Sequence, residues 1–236
     1  MTQVTEAEAL ILAHMPRFPA RHEPLPACIG RVLAEDVQAE RDQPPFDRVT
    51  MDGIAVAYRD LAAGTRSFEV VGTQAAGAEP LAVAAGQCVE VMTGTPLPHG
   101  ADTVVPVERV QRNGAVAAIA ADATVTAKQF VHRRGSDRPQ GSLVLRAGAR
   151  LGPPEIAVLA GAGRATALVA ELPRVAVIST GDELVEAGFA VGPHQIRLTN
   201  DREVKAGMAQ HRLGNVTRAR LRDGAKALAV AIDRLD

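Results

Sequence analysis

Thirteen residues, Pro44-Pro45-Phe46-Asp47-Arg48-Val49-Thr50-Met51-Asp52-Gly53-Ile54-Ala55-Val56, constrain this chain more than any other stretch. Two prolines lock φ and bias the residue before each away from helix, so the entry is extended. Asp52-Gly53 reads as a turn pair, because glycine reaches backbone angles closed to other residues. Ile54-Ala55-Val56 then opens a buried strand. A carboxylate on a tight turn between two apolar segments is costly to bury and adds little to a core. For Asp-Gly taken alone, the plain reading is an aspartate bonding its own backbone.

The interior must be built from Ala, Val, Leu and Ile, since only 3% of residues are aromatic, with no Trp and one Tyr. At 236 residues, 47% hydrophobic and 22% charged, the chain has the make-up of a globular protein of one large or several small domains. A net charge of -1 gives no bias toward polyanions, and the scarce aromatics offer no stacking platform for single strands, so nucleic acid is not an expected partner. Cys28 and Cys88 stand far apart with no Cys/His spacing around them, and are expected as buried free thiols in a reducing compartment. The Met1 to Glu8 segment is acidic and lacks an apolar signal core, and no stretch stays apolar long enough to cross a bilayer. The expected location is cytoplasmic, away from membranes.

Thr5 to Met15 reads as a short helix capped by Thr5 with Glu8 as reciprocal partner, and Pro16 and Pro19 stop it. The alternation in Gly30 to Val37 predicts a half-buried strand. From Phe68 to about Val131, short apolar runs broken by glycine predict a small β-rich domain, with strands at Phe68–Gly72, Cys88–Met92, Thr103–Val107 and Val116–Ile119. Within it, Thr93-Gly94-Thr95-Pro96 forms an exposed loop whose two hydroxyls could meet an oxyanion or merely satisfy their own backbone. In Val131-His132-Arg133-Arg134-Gly135-Ser136-Asp137, paired arginines suit anion contact as well as they suit a solvated turn.

A helix follows over Gly152–Ala160, with proline in its first turn. Arg174 to Ile178, apolar after its arginine, reads as a strand of the kind buried on both faces. It runs into Ser179-Thr180-Gly181-Asp182-Glu183-Leu184, the sort of strand end where open α/β sheets bind ligands. Asp182 and Glu183 are oxygen donors that could hold Mg²⁺ against a pyrophosphate, or could simply cap the next turn. Thr199-Asn200 cap a helix from Asp201 to Leu213 that Gly214 ends, Val216–Leu221 is a second strand, and a last helix runs from Lys226 to Leu235. This β-α-β-α order opens a parallel, doubly wound domain without completing it.

Several of these strings together resemble one family. The opening stretch is similar to the "PxFDxxxMDGxAV" signature of molybdopterin molybdenumtransferases (MoeA type, shared with the gephyrin E domain). Gly30 to Val37 matches "GRxLAxDV", Met92 to Val105 resembles "MTGAPxPxGADxVV", Arg133 to Asp137 resembles "RRxGED", and Ser179 to Leu184 is "STGDEL" without change. Departures are Ile54 where the family has Tyr, Ser136 in place of an acidic residue, and Arg197 and Leu198 before Asn200.

The resemblance implies an α/β multidomain chain: residues 1–45 with 135–172 as an elongated α+β domain, 46–134 as a β-rich insertion, and 173–236 as an incomplete molybdopterin-binding-like domain. It implies insertion of molybdate into adenylated molybdopterin with release of AMP and with Mg²⁺. Asp52, Thr93, Asp137 and Glu183 are then the catalytic candidates. Thr180, Gly181, Arg133, Arg134 and Asn200 are the substrate-binding candidates, and Asp182 and Glu183 the metal ligands. It further implies a homodimer, an upstream adenylating protein and recipient molybdoenzymes. The family's "SGGxSxGxxD", "KPGKP" and "GxPGNP" segments do not occur in this sequence, so it is expected not to act alone. The other reading is a non-catalytic dimerising or scaffolding module derived from the family.

Overall fold

The valine-rich runs between Gly53 and Ile119 pair into one mixed sheet in the computed structural model, which describes residues 3–234. Six strands lie in the order Thr103–Pro106, Gly53–Val56, Gln87–Val91, Ser67–Thr73, Val116–Ile119, Val110–Asn113. All neighbours are antiparallel except Ser67–Thr73 beside Gln87–Val91, whose register slips between Val70 and Thr73. The Gly53–Val56 strand shows why its sequence is an unbroken apolar run. Ile54 and Val56 enter a core with Phe68, Cys88, Val105, Ala117 and Ile119, whereas Ala55 enters a second core with Val49, Val89, Val91 and Val104. Side chains alternate across a strand, so a strand covered on both sides must be apolar at every position. The two cysteines are free and fully buried, as expected, and burial pushes the Cys88 thiol up to about 11, which keeps it protonated and unreactive.

The chain divides into two units, one of Gln38–Val144 holding this sheet, the other formed by the residues up to Val37 and from Leu145 on. In the second unit, Ala20–Pro24 pairs antiparallel with Thr166–Ala170, and the Pro153–Gly161 helix buries Leu159. The Gly30 to Val37 stretch keeps the expected alternation, with Arg31, Leu33 and Val37 buried and Val32, Ala34 and Asp36 exposed. It is nevertheless no continuous strand. Val32 bridges Arg150 and Leu33 bridges Val169, so its partner changes from one residue to the next. The first helix runs over Val4–His14, begins after Gln3 without a side-chain cap, and has no buried residue, so the expected Thr5 cap is absent.

The carboxyl-terminal part follows the expected β-α-β-α order. Val175–Thr180 pairs parallel with Val216–Leu221 in unbroken register, with helices Asn200–Gln210 and Ala225–Asp233. The expected end of the last helix at Leu235 lies outside the described residues. Two expectations need correction. No residue of Val175–Thr180 is buried, because among the described residues it pairs with one strand only, and a two-stranded sheet has too little cover to bury both faces. The Asn200–Gln210 helix is ended by Arg212 in the left-handed region (φ 64°), not by Gly214, with the Leu213 amide closing onto the Met208 carbonyl at 3.0 Å.

Candidate functional site

Asp52 sits at the end of the turn that feeds the inner Gly53–Val56 strand, and Thr93 follows the neighbouring Gln87–Val91 strand. Gly53 is opposite Val91 in that ladder, so the pairing itself carries Asp52 to the Thr93 loop. The Thr93 backbone N–H donates to Asp52 Oδ1 at 2.6 Å, and the Thr93 hydroxyl donates to the same oxygen at 2.9 Å. Asp52 therefore does not bond its own turn; it bonds a residue 41 positions away. These two donors, the backbone N–H first, hold its carboxyl below the ordinary carboxylate range. Asp52 borders a cavity of about 310 Å³ that Glu90, Met92, Val107 and Arg112 also line.

The loop hydroxyls are less free than the sequence suggests. Thr95 is buried and donates to the Met92 carbonyl at 2.7 Å, while Gly94 takes φ 90° as the third residue of the Met92–Thr95 turn. Thr93 alone presents a hydroxyl oxygen with accepting capacity left.

Because its folded pKa lies below its unfolded value, Asp52 stabilises the fold above the unfolded value of about 3.9. That contribution is lost as pH falls through the folded pKa. Asp52→Asn is accordingly expected to flatten the acid limb of the stability curve below about pH 4 and to leave its slope near neutrality unchanged. Urea titrations from pH 3 to pH 7 read this, and an acid limb identical to that of the wild type would refute it.

Asp137 belongs to a different cluster. The short ladder between Arg48–Val49 and Val131–His132 places His132 opposite Arg48. Arg48 Nη2 lies 3.2 Å from His132 Nδ1. A guanidinium only donates, so Nδ1 accepts, and Nε2 carries the proton that it donates to Asp137 Oδ1 at 2.7 Å. Arg134 is held by its backbone N–H to Asp47 Oδ1 (2.8 Å) and by Nε to Asp42 Oδ2 (2.7 Å). The Gln140 amide and Arg134 together keep the Asp42 carboxyl below its usual range. Arg133 is exposed; its backbone carbonyl accepts from the Ser136 N–H at 3.1 Å, but among the described residues its guanidinium makes no hydrogen bond or ion pair. Asp137 bonds neither Asp52 nor Thr93.

Thr180, Glu183 and Asn200 come together in the second unit, where they line a cavity of about 510 Å³. Thr180 closes the Val175–Thr180 strand, and Asn200 opens its helix. The Thr199 hydroxyl meets Asn200 Oδ1 at 3.1 Å in place of a helix amide, so the expected cap is not made. Gly181 has φ 147°, an angle L side chains rarely adopt; a Cβ there would meet Glu183 Oε2 at 2.7 Å, the flexible end of an exposed side chain that can turn aside. Asp182 and Glu183 are both exposed. Among the described residues no three His, Cys, Asp or Glu side chains converge as a metal-binding group. A pair of adjacent carboxylates suits Mg²⁺ only in the mode in which waters and substrate oxygens fill most of its octahedron.

Sequence reasoning missed three participants. His132 and Arg48 lie inside quoted strings, but their contact depends on a ladder 84 residues apart in sequence. Asp201, beside Asn200, is buried at 2% exposure and lines the same cavity. An acidic residue in a helix's first turn ordinarily reads as a charge for the helix dipole, which gave no signal of burial.

Residues 2–163 match the family model described as "MoeA N-terminal region (domain I and II)". A molybdopterin molybdenumtransferase of Synechocystis sp. is 36% identical over 225 residues, 94% of this chain and 57% of the relative. One of Bacillus subtilis is 35% identical over 180 residues, 73% of this chain and 42% of the relative. The chain thus spans about half the length of these curated relatives. Two crystal structures of a molybdopterin biosynthesis MoeA protein from Pyrococcus horikoshii superpose with TM-scores of 0.82 and 0.75 at 31% and 30% identity. Each match covers 98% of this chain, and 60% and 62% of the respective structures.

Proposed function

The chain belongs to the MoeA family, and we propose that it serves molybdenum cofactor biosynthesis as the amino-terminal part of a molybdopterin molybdenumtransferase. The substrates are molybdate and adenylated molybdopterin, and AMP is the product. The observation that carries this reading is the Asp52 carboxylate fixed by both the amide and the hydroxyl of Thr93. A carboxylate held ionised by fixed donors suits orientation of an attacking water or of a cation-bound oxyanion better than proton storage.

Asp137, held by His132, and Glu183 complete the proposed catalytic set. Arg133 offers an unengaged guanidinium to the anionic substrates, with Arg134 anchoring the same loop. Thr180 and Asn200 would bind the substrate at the 510 Å³ cavity, with Gly181 following Thr180 in the chain. Asp182 and Glu183 would hold Mg²⁺, which when bound neutralises charge on the pyrophosphate. The proposal keeps the division into residues 1–45 with 135–172, 46–134 and 173–236. It also keeps a cytoplasmic homodimer served by an adenylating protein and serving molybdoenzymes. Among the described residues, no helix is long and apolar enough to cross a membrane.

Deleting the coding sequence is expected to abolish molybdoenzyme activity while adenylated molybdopterin accumulates. A copy carrying Asp52→Ala is expected to restore less than about a hundredth of what the unaltered gene restores, the scale of a lost acid–base or orienting group. Normal molybdoenzyme activity in the deletion strain would overturn the proposal. One observation favours the scaffolding reading: the Val4–His14 helix leaves Leu10, Ile11 and Leu12 exposed, an apolar surface suited to a second copy. Full restoration by the Asp52→Ala gene, with dimerisation retained, would select that reading.

A further inference from the structure

A further cavity of the second unit, about 760 Å³, is lined by Arg21, Arg31 and Arg174, with Glu171 the one acidic residue on its wall among the described residues. The strand pairings explain why these side chains meet. Ala20–Pro24 lies against Thr166–Ala170, and the Glu171 amide returns to the Pro19 carbonyl at 2.7 Å, which brings Arg21 beside the chain leaving that ladder. Arg174 and Asn215 stand just before the paired starts of Val175–Thr180 and Val216–Leu221. Thr180 closes the other end of that ladder, about 20 Å along the strand. The cavity therefore lies at the opposite end of these strands from the 510 Å³ one, and the two share no lining residue.

Arg31 is built into this wall. Its side chain is 8% exposed, and Nε and Nη2 both donate to the Ala170 carbonyl, at 3.2 and 2.7 Å. Nη1 makes no hydrogen bond: Glu23 Oε1 is 3.8 Å away and already accepts from Arg21 Nη2 at 2.7 Å. Nor is Nη1 sealed in, because among the described residues only Ser142 Oγ and Asp201 Oδ1 are both closed to solvent and unpartnered. Buried donors are ordinarily paired, so a guanidinium locked in place with donors to spare is a ready contact for an oxyanion. Arg174 is exposed, and neither its guanidinium nor the Glu171 carboxylate has a partner among the described residues.

Counting Glu23 behind them, three guanidiniums face two carboxylates, which leaves one positive charge in excess. Three separate forks suit a tetrahedral group with three accepting oxygens better than a carboxylate with two. Phe18, half-buried, and Leu172, exposed, add apolar surface to the same wall. We propose that this cavity binds a small phosphate monoester, its phosphate oxygens on Arg31 Nη1 and on the Arg21 and Arg174 guanidiniums, its organic portion against Phe18 and Leu172. The site lies away from the candidate residues described above and does not depend on the molybdopterin reading.

The test titrates the whole chain with phenyl phosphate, inorganic phosphate and benzoate at constant ionic strength, following backbone amides by NMR. Phenyl phosphate is expected to bind with a Kd below about 1 mM and to shift the amides of Arg21, Leu172 and Arg174. It is expected to bind at least about tenfold more tightly than inorganic phosphate, which has no ring, or benzoate, which has no tetrahedral dianion. Arg174→Gln alters an exposed, unpaired side chain and leaves the fold in place, and it is expected to weaken phenyl phosphate by about fivefold or more. Arg31→Lys keeps the charge without the fork and should weaken it as much; if that variant fails to fold, Arg174→Gln decides alone. Any one of four results would overturn the proposal: shifts confined to Thr180 and Asn200, inorganic phosphate or benzoate bound as tightly as phenyl phosphate, an affinity unchanged in Arg174→Gln, or no binding at about 10 mM.

Discussion

Replacing Gly53 by Ala is expected to destabilise the β-rich unit by roughly 4 kcal/mol, combining a buried steric overlap with an unfavourable backbone angle. A Cβ at this position would lie 1.9 Å from the Val105 carbonyl oxygen, 2.9 Å from its carbon and 3.0 Å from Pro106 Cα. All three are backbone atoms of the adjacent strand, so no side chain can turn aside. Nor can the Gly53–Val56 strand retreat, because it is bonded to Thr103–Pro106 on one edge and to Gln87–Val91 on the other. Gly94→Ala is the control. Gly94 also has positive φ, at 90°, but a Cβ there meets nothing within 4 Å, so only the backbone cost of about 1–2 kcal/mol applies. Urea unfolding of the two variants separates overlap from strain. A Gly53→Ala protein no less stable than Gly94→Ala would show that the strands open without resistance.

The same corner shows how much a sequence of this kind discloses. Most strands of the β-rich unit are legible because each carries at least two Val or Ile, which favour a pleated, half-buried surface, and their expected spans agree closely with the observed ones, whereas the Val110–Asn113 edge strand, with one Val, gives no such signal. Asp52 and Thr93 are each legible as members of recognisable strings. Their hydrogen bonds are not, because these depend on which strands become neighbours across 41 residues. The alternation of Gly30 to Val37 correctly tells which side chains turn inward, yet burial periodicity holds equally for a strand and for a segment that bridges two partners in turn. Thr5 and Thr199 illustrate a further limit. Residue type makes a cap possible, but the side chain's rotamer decides whether its oxygen reaches a helix amide or, as at Thr199, a neighbouring amide group. Arg48, His132 and Asp201 are invisible by the same logic, since each gains its role only from a partner that folding supplies.

Phe68→Ala should give a second loss of about 4 kcal/mol, within the 3–5 kcal/mol typical of emptying a buried phenylalanine site. Phe68 is fully buried and sits in the core with Ile54, Val56, Cys88, Val105, Ala117 and Ile119. In a chain with 3% aromatic residues, Tyr58 also packs against this core, but it is only partly buried and would have to move inward to fill the space. The other neighbours are short, and the β-branched ones are stiff at χ1, so they cannot swing inward to close the cavity. Phe68→Leu, which keeps most of the volume, should cost less than half as much. Hydrogen exchange locates the damage: Phe68→Ala should lower protection in Ser67–Thr73, Gln87–Val91 and Val116–Ile119, while Ala20–Pro24 and Thr166–Ala170 in the other unit keep theirs. Cys88 lies in this core and Thr93 follows the same strand, so loosening the core also loosens the donors that hold Asp52. The Asp52 carboxyl is therefore expected to titrate closer to its ordinary value in Phe68→Ala than in the wild type, which NMR of the side-chain carboxyl reads directly. An Asp52 titration unchanged by so large a loss of stability would show that the Thr93 loop holds its geometry independently of the sheet beneath it.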